Sequence, residues 1–336
     1  MQPLGRVLRG GPHSFGGKRM TKQVFLFPGQ GSQHVGMGKD LYENFSQARL
    51  IFEEAEDALK IKLRKLCFEG PESDLKLTLN TQPALLTVSV AACRVLETET
   101  DFKPSLVAGH SLGEYSALVI SRALSFSKAV QLVRVRGQAM QEAVPVGKGA
   151  MAALLGVEAP VAVALCEEVT QSLHREGGHK EEIVSPANFN GAGQVVIAGT
   201  QAAVQRCVEV ALEKGVKRAL LLEVSAPFHC KLMQPAAQKM ADILEPISFL
   251  SLQTPYIANV DAQIYAGNAP IRDLLVRQIP NPVRWEESMQ QLSKCEIKEA
   301  IEIGPGKVLT GLLRRINKDI KTFNLQTSED IKNVVR

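Results

Sequence analysis

The stretch Leu106-Val-Ala-Gly-His-Ser-Leu-Gly-Glu-Tyr115 constrains this chain more than any other. A short apolar run ends in Gly109-His-Ser-Leu-Gly113, and a helix-forming segment, Glu114 to Ile120, follows. That is G-x-S-x-G between a strand and a helix, a nucleophile elbow. A serine at the tip of so sharp a turn needs neighbours without Cβ atoms, so that the chain can bend and a substrate can approach. The helix after it aims its first N–H groups at the charge that develops on attack. The same pentapeptide also fits an ordinary glycine-rich turn with an incidental serine.

The chain has 336 residues, room for one large domain or two unequal ones. Its 45% apolar and 22% charged content is that of a soluble globular protein. No apolar run reaches the roughly 18 residues that span a bilayer, so no membrane segment is expected. Six cysteines are scattered without a C-x-x-C pair, which indicates neither a metal site nor a disulfide framework and fits a reducing cytoplasm. A formal charge of +4 is too small to indicate nucleic acid, but it suits an acidic protein partner. Residues 1–19 are basic, free of acids and rich in Gly and Pro, and are expected to be a disordered extension. A transit peptide has that composition, but Met20 just ahead of the first strand favours a vector-derived or upstream-start extension.

Val24–Phe27 reads as a buried strand, followed by the loop Pro28-Gly-Gln-Gly-Ser-Gln-His-Val-Gly-Met-Gly38. The dinucleotide fingerprint fails here, because His34 and Leu41 stand where its third glycine would be. A glycine-rich loop at a strand end can still offer backbone donors to an oxyanion, which makes Gln30 a candidate. Apolar periodicity predicts helices over 41–60, 83–97 and 125–143. In the last of these Arg136 falls on the apolar stripe with Met140. Periodicity leaves open whether its side chain snorkels outward or stays inside at a cost of several kcal/mol if unpaired.

The pattern then changes. Strand 149–156, helix 159–172, a polar loop 176–182 with His174 and His179 at its edge, strands 183–188 and 194–199 joined by Asn190-Gly-Ala-Gly193, helix 201–214 and strand 217–224 follow in turn. The order β-α-β-β-α-β is the ferredoxin-like unit. Residues 147–225 are therefore expected to be an inserted subdomain, with 20–146 and 226–330 forming the main α/β domain. The six histidines sort themselves. One is in the extension, two flank the polar loop, His110 is inside the elbow and His34 is in the glycine loop. His229, where the chain returns from the insert, is the best general-base candidate, and Cys230 beside it reads as a small core residue. A helical stripe Ile271, Leu274, Leu275, Gln278 again puts a polar residue on an apolar face. Asn281–Trp285 reads as a loop, Glu299–Ile303 as a strand and Val308–Ile316 as an amphipathic helix. The main body is an α/β layer structure.

Phe27-Pro-Gly-Gln-Gly-Ser-Gln33, Gln82-Pro83, Gly109-His-Ser-Leu-Gly-Glu-Tyr-Ser116, Arg136-Gly137, Phe228-His229, Asn281-Pro-Val283 and Glu302-Ile-Gly-Pro-Gly306 stand in one order along this chain. Together they resemble the malonyl-CoA:acyl carrier protein transacylases of the bacterial dissociated fatty acid synthase, from about residue 20 to near 330. Residues 172–181 look longer than is usual in that family, within the insert.

The resemblance implies an α/β-hydrolase-like main domain with a short parallel sheet, and roles at matching positions. Ser111 would be the nucleophile and His229 its base, oriented by a backbone carbonyl supplied by Gln278. The N–H groups of Gln30 and Leu112 would form the oxyanion hole, and Arg136 would grip the malonyl carboxylate with its two-pronged guanidinium. Asn188 and Asn190 would line the cleft with His110 and Met140. Phe228 and Leu112 would favour malonyl over methylmalonyl, a discrimination of roughly 1–3 kcal/mol. Malonyl would pass from coenzyme A through a malonyl-serine to the phosphopantetheine thiol of an acidic acyl carrier protein, with no metal or other cofactor, in a bacterial cytoplasmic enzyme acting as a monomer. Lys217-Arg218 and Arg314-Arg315 would flank the carrier's docking face. The alternative is a serine esterase or thioesterase of α/β-hydrolase type, which expects an acid between serine and histidine and often an HGGG-type loop absent here. A non-catalytic carrier-binding scaffold is the third reading.

Overall fold

The computed structural model describes residues 22–177 and 181–334. The extension at 1–19, the boundary at residue 20 and His179 lie outside the described residues. Among the described residues there are ten strands: β1 (Gln23–Phe27), β2 (Leu106–Gly109), β3 (Gly149–Leu155), β4 (Val184–Gly191), β5 (Gln194–Thr200), β6 (Arg218–Leu221), β7 (Leu252–Ile257), β8 (Ile264–Gly267), β9 (Glu299–Ile303) and β10 (Lys321–Leu325). They form two sheets, β10-β9-β1-β2-β7-β8 and β4-β5-β3-β6.

β1 is buried along its whole length, and a strand apolar on both faces belongs in the middle of a covered sheet. It lies between β2 and β9, parallel to both. β7 joins β2 and β10 joins β9, also in parallel. β8 runs antiparallel to β7, so the sheet is mixed and the purely parallel expectation is corrected. The physical reason is the short connection between β7 and β8, which can only join antiparallel neighbours. β7, β8 and β10 escaped the sequence reading. β7 carries Pro255 and polar residues, and its pairing with β2 begins only at Tyr256, just past the proline.

The helices cover both faces. The buried helix expected from Pro83 begins earlier and spans Thr78–Glu99, with Pro83 inside it. The segment 41–60 is two helices, Lys39–Asn44 and Ser46–Leu59, because Phe45 takes an extended conformation between them. Helix Phe126–Glu142 buries Arg136 among Val133, Gly137 and Met140. Gly137 faces the Thr78 backbone so closely that a Cβ would stand 2.7 Å from the Thr78 carbonyl oxygen.

The second sheet is antiparallel throughout. Helices Ala159–Gly177 and Gln201–Glu213 complete the order β-α-β-β-α-β, over a core that includes Leu154, Val169, Ile197 and Val204. His174 is not at a loop edge, since the first helix runs on past it. Its Nε2 lies 2.8 Å from the Glu182 carbonyl. β4 is tied to the first sheet's layer through Asn281-Pro-Val283: Phe189 N–H donates to the Val283 carbonyl and Val283 N–H to that of Ala187, both at 2.9 Å.

Glu302 on β9 is fully buried. Its carboxylate accepts from the Leu309 and Thr310 N–H groups at 3.0 and 2.8 Å and from the Thr310 hydroxyl at 2.9 Å. It thereby caps helix Val308–Ile316, whose first turn otherwise has unpaired donors. Glu302→Ala leaves those donors buried and bare. The variant should lose about 2 to 3 kcal/mol of stability, measured by denaturant unfolding, and an unchanged midpoint would contradict the capping role.

Candidate active site

The elbow is built by backbone contact. A Cβ on Gly109 would stand 1.9 Å from the Gly113 carbonyl, and one on Gly113 would stand 2.1 Å from the Phe27 carbonyl oxygen. Only glycine allows β1, β2 and helix Gly113–Ile120 to meet this closely. Ser111, at the apex, has φ +51°, a left-handed conformation that is uncommon outside glycine. Gly29 brings the loop after β1 alongside, where a Cβ would stand 2.5 Å from the His110 carbonyl oxygen.

His229 also has positive φ, +59°, and is buried. Its Nε2 is 2.7 Å from Ser111 Oγ and its Nδ1 is 3.0 Å from the Gln278 carbonyl oxygen. A carbonyl only accepts, so Nδ1 carries the hydrogen and Nε2 presents its lone pair to the serine hydroxyl. Burial, then the nearby Arg136 cation, push the imidazole down to about 3. His229 is therefore a neutral base at ordinary pH.

The donors around the serine are divided between two tasks. The Ser111 N–H goes to Asn259 Oδ1 at 2.6 Å. The Gln30 and Leu112 N–H groups have no protein partner among the described residues. The Gln30 side chain donates to Thr78 Oγ1 at 3.3 Å, and Gln30 lines the cleft.

Arg136 does not snorkel. It is 1% exposed, and it donates to Gln82 Oε1 and Gln278 Oε1 at 2.8 Å each and to Ser111 Oγ at 3.1 Å. Its guanidinium carbon lies 5.7 Å from the Tyr115 ring centre. No carboxylate forms an ion pair with it among the described residues. These groups floor a cleft of about 240 Å³, whose walls include His110, Met140, Asn188, Asn190, Phe228 and Leu222. His110 Nε2 contacts Asn190 Oδ1 at 3.0 Å, and its ring packs 5.4 Å from that of Trp285.

Ser111, His229, Gln30, Leu112, Arg136, Gln278 and the cleft residues thus converge on one point. The cationic pairs do not reach it. Lys217 and Arg218 stand at the start of β6 while Leu222, past its other end, lines the cleft, a separation of about 13 Å along a strand. Arg314 and Arg315 close a helix whose N-terminal half lines the cleft; they donate to Thr322 Oγ1 and Gln194 Oε1. Sequence reading missed Gln82, Glu114 and Asn259. Gln82 and Glu114 each carry the available signal, a polar residue inside an apolar helix. Asn259 sits in a loop and had none. Cys230 is inert as expected, its thiol pushed up to about 12 by burial. Among the described residues no cluster of His, Cys, Asp and Glu could hold a metal ion.

The chain as a whole is similar to known proteins. Residues 24–332 match the model of the acyl transferase domain. The malonyl CoA-acyl carrier protein transacylase of Bacillus subtilis is 47% identical over 313 residues, covering 93% of this chain and 96% of that protein. The crystal structure of an acyl-carrier-protein-S-malonyltransferase from Bartonella henselae is 48% identical, with TM-score 0.88 over 94% of this chain and 98% of that one. A malonyl-transacylase in complex with a type II PKS acyl-carrier protein is 45% identical, with TM-score 0.88 over 93% and 98%. By sequence and by structure, the chain belongs to the acyl transferase family.

Proposed function

We infer that this chain transfers malonyl from malonyl-CoA to the phosphopantetheine thiol of acyl carrier protein, through a malonyl ester on Ser111. One observation carries the reading: a fully buried guanidinium 3.1 Å from the candidate nucleophile, with neutral amides as its partners and no ion pair among the described residues. A buried charge so arranged is costly unless a ligand completes it. A free carboxylate one carbon from the scissile thioester does so.

Ser111 Oγ attacks the thioester carbonyl while His229 Nε2 takes its proton. The Gln30 and Leu112 N–H groups receive the oxyanion. As the tetrahedral intermediate collapses, the C–S bond breaks and His229 protonates the departing CoA thiolate. The carrier thiol then enters, gives its proton to His229, and takes the malonyl group by the same steps in reverse. The transfer balances with no other cofactor. Gln278 holds His229 with a carbonyl, where a hydrolase of the alternative class would use a carboxylate.

The chain reads as a hydrolase-like main domain, 20–146 with 226–330, carrying a ferredoxin-like insert, 147–225. The second sheet's strand order supports that reading, and so does Asn188 and Asn190 lining the cleft from the insert. All described cysteines are free thiols and no described helix is long and apolar enough to cross a membrane, in keeping with a bacterial cytoplasmic enzyme. One chain supplies every catalytic part, as a monomer would.

Arg136→Ala should lower kcat/KM for malonyl-CoA by about a hundredfold or more, while acetyl transfer holds or rises. Lysine would restore the charge but not the fork. In the same assay Phe228 should make methylmalonyl-CoA a slower substrate than malonyl-CoA by about one to two orders of magnitude. Equal loss toward malonyl and acetyl would make Arg136 structural.

Burial is the larger cause of the low His229 pKa, and it persists in the complex. The single-turnover rate of Ser111 acylation at saturating malonyl-CoA should therefore stay flat from pH 8 to about pH 5. An inflection near 6.5 would mean an ordinary histidine.

The carrier docks, on this reading, along β6. Lys217 and Arg218 are exposed with no ion-pair partner among the described residues. Leu220, Leu221 and Leu222 continue from them to the cleft, 51%, 48% and 37% exposed. Rim charges act mainly on association. Reversing both cations to Glu should raise KM for the carrier about threefold to tenfold and flatten its salt dependence, with malonyl-enzyme formation unchanged. A parallel fall in both half-reactions would place the docking face elsewhere.

A further inference from the structure

Arg136 has a second buried charge close by that the transfer chemistry does not use. Glu114, three residues past the nucleophile, is fully buried. Its Oε2 accepts from the Asn259 N–H at 3.0 Å and from Gln278 Nε2 at 2.8 Å. The same Gln278 amide accepts at Oε1 from Arg136 at 2.8 Å. One side-chain amide therefore bridges a buried cation and a buried carboxyl, oriented by both: its oxygen toward the donor, its nitrogen toward the acceptor. Glu114 Oε1, by contrast, accepts no hydrogen bond of ordinary length among the described residues, and the buried Tyr256 hydroxyl is the group that faces the carboxyl there. A bare, buried carboxylate oxygen is unfavourable while charged and is the natural seat for a proton.

We propose that Glu114 is the standing counter-ion of Arg136, acting through the Gln278 amide, and that it takes up a proton when a substrate carboxylate docks on Arg136. The inference rests on malonyl being the acyl group bound. In the free enzyme the guanidinium favours an ionised Glu114. A malonyl carboxylate neutralises that cation and adds a second negative charge nearby, so the Glu114 carboxylate loses the Arg136 part of its support while the Asn259 and Gln278 hydrogen bonds remain. Gln278 keeps its place through its bond to the Ser111 carbonyl at 3.0 Å. Glu114 is thus a positioning residue, which balances charge without touching substrate.

The other groups facing Glu114 are accounted for. Its carboxyl is pushed up to about 7, burial first, with the Asn259 and Gln278 hydrogen bonds and then Arg136 pulling down and Asp261 pushing up. Asp261 is held by the Tyr265 hydroxyl at 3.0 Å and by Arg277 at 3.8 Å. Tyr115 is pushed up to about 12 and Tyr256 further, both mainly by burial, so both stay neutral. His229, down near 3, remains neutral at pH 8 even if raised by two units. The window follows from these directions. Below about pH 7 Glu114 is already protonated in the free enzyme and binding takes up nothing. Above it, binding takes up a proton until the pH passes the raised value in the complex.

The test is titration calorimetry of the full-length Ser111→Ala chain, which cannot be acylated, with malonyl-CoA and acetyl-CoA at pH 8 in two buffers of different ionisation enthalpy. The expected result is net proton uptake with malonyl-CoA and none with acetyl-CoA. Adding Glu114→Gln keeps an acceptor oxygen for Asn259 and Gln278 but removes the charge. It should abolish the uptake and tighten malonyl-CoA binding at pH 8 by about fivefold to tenfold, the ceiling being set by the distance from the free-enzyme value of about 7 to pH 8. The gain should vanish at pH 6, and acetyl-CoA affinity should not change. Malonyl-selective binding without proton uptake overturns the role of Glu114 and leaves the proposed function intact. If the second variant does not fold, the two-buffer measurement decides alone. Failure to prefer malonyl-CoA over acetyl-CoA overturns the functional reading and this inference together.

Discussion

Three glycines press backbone against backbone at one point, and the site depends on that approach. Gly113 lies against the Phe27 carbonyl, Gly109 against Gly113, and Gly29 against the His110 carbonyl. The C-terminal ends of β1 and β2 are thereby drawn together with the start of one helix, in the crevice where open α/β sheets carry their ligands. Two N–H groups from two different strand ends, Gln30 and Leu112, are left there without a protein partner among the described residues, as the proposed oxyanion site requires. A single added methyl group at Gly109 or Gly113 would separate them, because its neighbours are main-chain atoms that cannot rotate aside.

The same tightness sustains two strained residues. Ser111 and His229 both hold positive φ, each at a cost of about 1–3 kcal/mol. Asn259 offsets part of it at the serine. Its Oδ1 accepts from Ser111 N–H, its Nδ2 donates to the Gly109 carbonyl at 2.7 Å, its N–H donates to Glu114, and its carbonyl accepts from Arg284 N–H at 2.9 Å. All four polar groups of one buried side chain and its backbone are committed to the elbow and the Asn281–Trp285 loop. That loop is in turn bonded to β4 of the second sheet, so the two layers of the cleft share one scaffold.

Part of this was legible in the sequence, for reasons that differ by element. Apolar runs and glycine spacing mark β1, β2, β9 and the elbow, since burial on both faces and sterically forced glycines leave composition no freedom. The β-α-β-β-α-β order was visible because its strands alternate with periodic helices. β7, β8 and β10 were hidden: they are short or lie toward the sheet edge, and their stability comes from neighbours distant in sequence. Arg136 was visible as a charge on an apolar stripe, yet periodicity could not decide its direction, because a guanidinium can extend several ångströms either way. Glu114 stood out only as an acid in an otherwise apolar helix, and Asn259 acts through contacts with residues far along the chain, with nothing local to distinguish it from a turn asparagine.

The charges around Ser111 have one further consequence. His229 is held low first by burial and next by the Arg136 cation, and its neutral partner, the Gln278 carbonyl, orients it without adding negative charge. The base is therefore weakest in the empty site, where no carboxylate contacts Arg136 directly. On the proposed function, a malonyl carboxylate bound to Arg136 would offset that second cause, and the imidazole would become a stronger base as the substrate settles. An acyl group without a carboxylate leaves the cation in place and meets a weaker base. Part of the discrimination between malonyl and acetyl then lies in the proton transfer as well as in the grip on the acid, where it raises the rate of the bound substrate and not merely its occupancy. A carboxylate in place of the Gln278 carbonyl would remove this dependence, since it would stabilise the imidazolium whether or not the right substrate were present.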